Sequence, residues 1–127
     1  MGGIVQAEAN RLLDASFGTA SFTAPTTPMK NALVTATGTA TAAGTEVTGG
    51  TYGRQTITMA AASGGSTSNS GTVSHTGMPA ATVTGVDIYD SNGTPRRAWW
   101  GALASSKTVG AGDVISFAAG AIVASIS

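Results

Sequence analysis

The chain contains no cysteine, one histidine and few charges. Without cysteine it can form neither a disulfide nor a thiolate metal site. At 127 residues it needs neither, since folding a chain of this size buries roughly two-thirds of the surface exposed when unfolded. Charged residues make up 9% of the sequence, six basic against six acidic, where an ordinary soluble domain has about 25%. A net charge of zero offers no basic field for nucleic acid or an anionic membrane, and Arg96-Arg97 is the only adjacent basic pair. It also does little to keep free copies apart. The longest apolar run, Phe117 to Ile126, is broken by Gly120 and Ser125 and falls far short of the ~20 residues that cross a bilayer. The opening MGGIVQAEAN lacks the basic and long apolar regions of a secretory signal, so synthesis in a cytoplasm is expected. Neither nucleic acid nor a membrane is an expected partner.

What is present is one helical pattern followed by a β vocabulary. Val5, Ala9, Leu12, Leu13 and Phe17 recur at helical spacing, Gln6, Glu8, Asn10, Arg11 and Asp14 take the other face, and Gly18 supplies a stop. About three turns of helix are marginal alone, so this stripe must dock on the domain or on a neighbour. From Ser21 onward, Thr, Val and Ile fall in short runs between Gly, Pro, Asn and Ser clusters. This predicts strands at Ser21–Ala24, Lys30–Ala36, Gln55–Ala61, Thr72–His75, Ala81–Tyr89, Arg96–Leu103, Asp113–Ala118 and Ala121–Ile126. With no helices between them, the expected fold is mainly β: a single small antiparallel β-sandwich or jelly-roll-like domain with one N-terminal helix. Residues 1–18 form the helical anchor segment and residues 19–127 the β-sandwich domain. Asn92-Gly93 predicts a type I′ hairpin turn. Ala60 to Gly71, AAASGGSTSNSG, reads as an exposed loop rather than an interdomain linker. There is no fixed-period repeat, heptad run or collagen-like glycine pattern.

Patterns that carry chemistry each lack a necessary member. Gly44-Thr-Glu-Val-Thr-Gly49 has the glycine spacing of a phosphate loop, but Gly50-Thr51 stands where Lys followed by Ser or Thr is required. No strand-turn-helix nucleophile elbow accompanies His75, which is expected at a strand edge or an interface. Around Asp90-Ser-Asn92-Gly93, a calcium-loop register puts Ile88 at the first ligand position and Trp99 at the bidentate Glu position. No catalytic residue, cofactor or metal is expected. Trp99-Trp100 is the more informative pair, because consecutive strand residues point to opposite faces and one indole must face outward. An outward Trp can stack on a sugar or fill a subunit contact. With only Arg96 or Arg97 nearby, the contact is favoured. Leu12, Leu13, Phe17, Arg96, Arg97, Trp99 and Trp100 are therefore the candidate interface residues.

An ordered set of short motifs runs along nearly the whole chain: Gly44-Thr-Glu-Val47, Gly49-Gly50-x-Tyr52-x-Arg54, Ile88-Tyr-Asp90, Gly101-Ala-Leu103, Ser106-Lys-Thr-Val109, Gly112-Asp113 and Phe117-x-x-Gly120. It resembles a family of small virion proteins of tailed bacteriophages, especially those of actinobacteria, often labelled tail fibre or minor tail proteins. Relatives of that type resemble capsid decoration or minor capsid proteins. The chain departs from the family pattern at Pro95 to Trp100, where members carry a more apolar strand, and at Gly85, where they carry His. The resemblance implies that Glu46-Val47 and Tyr52-x-Arg54 form the corner leading into the next strand, with Arg54 free to pair with an acid. It also implies a non-enzymatic structural protein of the virion, assembled in the host bacterial cytoplasm. The first expectation is a capsid decoration or minor capsid protein, a homo-oligomer and specifically a trimer, bound to the major capsid protein. The alternative is a tail fibre or tail-tip component among other tail proteins, contacting a host-surface glycan. A hydrolase ranks third.

Overall fold

The structure, a computed structural model, describes residues 2–126. Strand β1 (Gly3–Ile4) leads into helix α1 (Gln6–Ser16). There follow β2 (Met29–Ala36), β3 (Thr45–Glu46), β4 (Gln55–Ile57), β5 (Ser66–Ser68), β6 (Val73–His75), β7 (Ala81–Tyr89), β8 (Arg97–Val109), β9 (Ile115–Phe117) and β10 (Val123–Ser125). One sheet has the order β1-β8-β7-β2-β3, with β4 also paired to β2. The short ladders β5–β10 and β6–β9 stand apart from it, and all pairings are antiparallel. The expected β-sandwich with one helix is the fold that forms.

Its core lies between the large sheet and the short ladders. Leu33, Val83, Val86 and Ile88 of the first pack with Val73, Ile115, Phe117 and Ile122 of the second, joined by Val47, Ile57 and Met78. The central strands do not alternate as a half-solvated sheet would. Asn31 to Val34 and Gly85 to Ile88 are buried without a break, because the second face of the sheet is covered too. Part of that cover is the segment between β2 and β3. The Gly44 N–H donates to Asp87 Oδ2 (2.9 Å), and Arg97 Nη2 donates to the Thr39 carbonyl (2.7 Å). Gly85 sits where a Cβ would come 2.5 Å from the Gly101 carbonyl oxygen, so the His of the resembling family has no room here.

Several sequence expectations change. Ser21–Ala24 forms no strand; Arg96 Nη1 donates to the Thr23 carbonyl instead (2.9 Å). The Gln55–Ala61, Asp113–Ala118 and Ala121–Ile126 strands shrink to three residues each, while Arg96–Leu103 extends to Val109. The Ala60 to Gly71 stretch is not all loop, since Ser66–Ser68 pairs with β10. Polar Ser and Thr are compatible with an outer ladder, and composition alone reads them as loop. The β7–β8 hairpin exists, but no non-glycine residue has positive φ and Gly93 is not among the positive-φ glycines, so the turn is not type I′. Asp90 replaces it as organiser, its carboxylate accepting the Thr26, Asn92 and Arg96 N–H groups at 3.1, 3.2 and 2.8 Å. His75 lies on β6, an edge strand of its two-stranded ladder, but it is not open to solvent there. It is 0% exposed, stacked on Tyr52 with ring centroids 5.9 Å apart and meeting Phe117 edge-on.

Candidate functional site

The sequence-derived interface residues fall into three places. On α1 the apolar stripe is split. Val5 and, in part, Leu12 turn toward the sheet, while Leu13 and Phe17 are 56% and 80% exposed. With Ile4, Ala9, Ser16 and the exposed Ile126, Leu12 and Leu13 line an open apolar groove of about 490 Å³. The residue α1 buries is Glu8, which no sequence pattern singles out. Its carboxylate pairs with Arg11 one turn on (2.9 Å) and with Arg96 Nε (3.0 Å) and Nη2 (3.0 Å) from the start of β8. Attachment of α1 is thus as much ionic as apolar. A buried acid between two guanidiniums is held firmly, because removing either partner strands a charge away from water.

Arg96 and Arg97 are not free surface charges. Arg97 pairs with the buried Asp87 across the β7–β8 ladder (3.2 Å), and Arg96 also lies over the Phe22 ring at 5.6 Å. Arg54 binds Glu46 in a two-point fork (3.0 and 2.9 Å), so every arginine of the chain is in an intrachain ion pair. Trp99 and Trp100 face opposite sides, as their adjacency requires. Trp99 packs against the core, whereas Trp100 lies under the N-terminal strand, where a Cβ on Gly2 would approach its ring to 2.8 Å. Both indoles are half-buried within the chain.

The corner at Gly44 to Met59 is structural. Between Glu46 of β3 and Gln55 of β4, the neighbours of β2 change, leaving the Leu33 N–H without a strand partner. The Tyr52 hydroxyl fills that gap, accepting from Leu33 N–H (2.9 Å) and donating to Glu46 Oε2 (2.8 Å). Burial works to raise the Glu46 pKa, but hydrogen bonds from Arg54 and Tyr52 and the Arg54 charge outweigh it and hold the carboxyl below its ordinary value. Burial, reinforced by the Glu46 carboxylate, pushes the Tyr52 hydroxyl well above the usual phenol range. The Arg54 guanidinium also sits 3.8 Å from the centre of the Tyr89 ring. Behind this corner, the Asn31 amide donates to His75 Nε2 (3.0 Å), which leaves the proton of the neutral imidazole on Nδ1. Among the described residues Nδ1 has no well-formed partner, and no nucleophile is paired with the ring.

A second surface feature is polar. A groove of about 530 Å³ runs between α1 (Ala7, Arg11), Thr23 to Thr26 and the β7–β8 connection (Asn92, Thr94, Arg96). Asp90 and the Glu8–Arg96 pair fix its walls, leaving Thr hydroxyls, the Asn92 amide and the outer face of Arg11 at the rim. Among the described residues no three His, Cys, Asp or Glu side chains converge as metal ligands, and no helix is long and apolar enough to cross a membrane.

The geometry is that of a scaffold with contact surfaces. A search among curated proteins finds no match. The model of a family described as Podophage GP4 fiber I protein gp80 matches residues 3–125, and the chain belongs to that family of phage fibre proteins.

Proposed function

We propose that the chain is a non-enzymatic structural unit of a phage tail fibre, working as a homo-oligomer, specifically a trimer, with residues 1–18 as its docking segment. The observation that carries this reading is the apolar face of α1, where Leu13 and Ile126 are exposed in one groove and Phe17 is exposed at the end of the helix, in a protein with few charges. A solvated monomer gains nothing from such a face; an assembly buries it, at roughly 1.5–3 kcal/mol per large side chain. Family membership supports a fibre position and gives a capsid-decoration role no support over it. Assembly in the host cytoplasm, on other tail proteins, follows from the same reading.

Light scattering on the purified protein is expected to report a trimer, and Leu13→Ser with Phe17→Ser a smaller species that still unfolds cooperatively, at a lower melting temperature. A wild-type monomer at micromolar concentration that also fails to assemble on particles overturns the reading. Position is tested by gold-labelled antibody on intact particles and by copy number. Label at the tail with few copies supports the fibre; label over the head, with copies on the scale of the shell subunits, assigns capsid decoration instead.

The polar groove favours one refinement. Its hydroxyl, amide and guanidinium groups, with the half-exposed Phe22 beside Arg96, suit a host-surface glycan: an apolar ring face together with fixed hydrogen-bond donors. Loss of particle adsorption in Thr94→Ala, whose side chain lines the groove and makes no ion pair, with trimer intact, is the expected result.

A further inference from the structure

We propose that Asn92 is a site of spontaneous, non-enzymatic deamidation that slowly places a negative charge on the rim of the polar groove. The reaction needs an asparagine carboxamide, a following backbone nitrogen free to attack it and no side chain in the way. The Asn92–Gly93 pair supplies all three. Both residues are exposed in the β7–β8 connection, Gly93 has nothing within 4 Å of the position a Cβ would take, and its N–H makes no hydrogen bond within the protein among the described residues. The Thr94 N–H donates to Asn92 Oδ1 at 3.0 Å. That hydrogen bond draws electrons from Cγ and stabilises the oxyanion formed on attack, as a preorganised donor does for any acyl transfer. Hydroxide removes the Gly93 amide proton, and the nitrogen bonds to Asn92 Cγ. Nδ2 takes a proton from the water so formed, the Cγ–Nδ2 bond breaks, and ammonia leaves with hydroxide regenerated. Water then opens the five-membered imide at either carbonyl, giving aspartate or isoaspartate.

The other asparagines are protected by the same structure. Asn31 is fully buried against His75. Asn69, although followed by Ser70, is buried with its amide donating to the Gly71 and Ala118 carbonyls (2.8 and 3.0 Å) and its oxygen accepting the Ile122 N–H (2.9 Å). Asn10 lies within α1, where the next nitrogen belongs to the helix ladder. Conversion at Asn92 moves the net charge from zero to minus one and sets a carboxylate beside the groove lined by Arg11, Arg96 and Arg97. The isoaspartate product routes the main chain through Cβ and Cγ of residue 92, so the oxygen that accepts the Thr94 N–H becomes a main-chain carbonyl.

The test is to hold the full chain at mildly alkaline pH and 37 °C over days, then map it with trypsin and tandem mass spectrometry. Asn69 and Asn92 fall on one tryptic peptide, Gln55 to Arg96, so each controls for the other. The expected result is an isoaspartate and aspartate mixture at Asn92, an intact Asn69 and one more acidic species on ion exchange. That species is absent from Asn92→Gln and forms several-fold more slowly in Gly93→Ala. An unreacted Asn92, or an Asn69 converting as fast as Asn92, overturns the proposal, the latter because it locates the reaction in unfolded chains. The result is independent of what the groove receives.

Discussion

At the scale of single residues, the fold alters the chemistry of its one histidine, His75. Burial pulls its pKa below the ordinary 6.5, with the Gly53 backbone and the Glu46 charge pulling partly back. A depressed folded value means the folded protein resists the proton that the unfolded chain accepts. Stability is therefore complete above about pH 6.5 and falls as pH drops below it, since the unfolded state then binds more protons. Glu46 and Asp90, whose folded values lie below 4.5 and 3.8, withdraw stability only in a lower window. Urea midpoints measured from pH 7.5 to 5 are expected to decline in the wild type and to flatten in His75→Gln; a flat wild-type profile removes the assignment. Tyr52 and Gly85 are residues of the same kind, one completing a broken ladder and the other admitting a close backbone crossing.

Among the elements, α1 and β8 depend on each other. The N-terminal strand covers Trp100, Glu8 neutralises Arg96, and the Val5 N–H donates to the Ala98 carbonyl (2.9 Å). Strand alternation separates the two tryptophans by role, and their substitutions should separate too. Trp99→Ala leaves a void against the core and is expected to cost about 3 kcal/mol, read as a lower urea midpoint. Trp100→Ala removes the surface on which Gly2 and Gly3 lie, so its signature is faster hydrogen exchange in residues 3–16 with the core strands still protected. Equal global destabilisation by both would contradict the division. Past Trp100, β8 is blunted as an edge by Lys107 and by a register shift between Val83 and Gly85 of its partner β7. The apolar face of α1 therefore suits assembly better than the β8 edge does.

For the whole molecule, the scarcity of charge acquires a consequence that composition does not disclose. All four arginines are consumed in holding the chain to itself, leaving Lys30 and Lys107 as the basic groups outside ion pairs among the described residues. The rest of the described surface is mostly hydroxyl, methyl and amide, with Leu13, Phe17 and Ile126 among its exposed large apolar side chains. Nothing in the ion-pair set calls for a metal, so a chelator is expected to leave the melting temperature unchanged in calorimetry. A downward shift with EDTA, restored by a divalent cation, would show otherwise.

The class of fold, the single helix and the long central strands are legible in the letters alone, because they follow from periodicity and turn composition, which are local. So is the Glu46–Arg54 corner, through a motif whose residues lie close in the chain. The burial of His75, the Glu8–Arg96 pairing and the Asp90-organised hairpin were not legible. Each depends on a contact far away in sequence: Glu8 and Arg96 are separated by 88 positions, His75 and Asn31 by 44, and Asp90 and Thr26 by 64. Local pattern could place His75 on a strand but could not say that a second layer closes over it. Likewise the helical stripe was visible as five apolar letters. That Val5 faces inward while Leu13 and Phe17 face out is set by packing, because a helix has no inside until a sheet is packed against it.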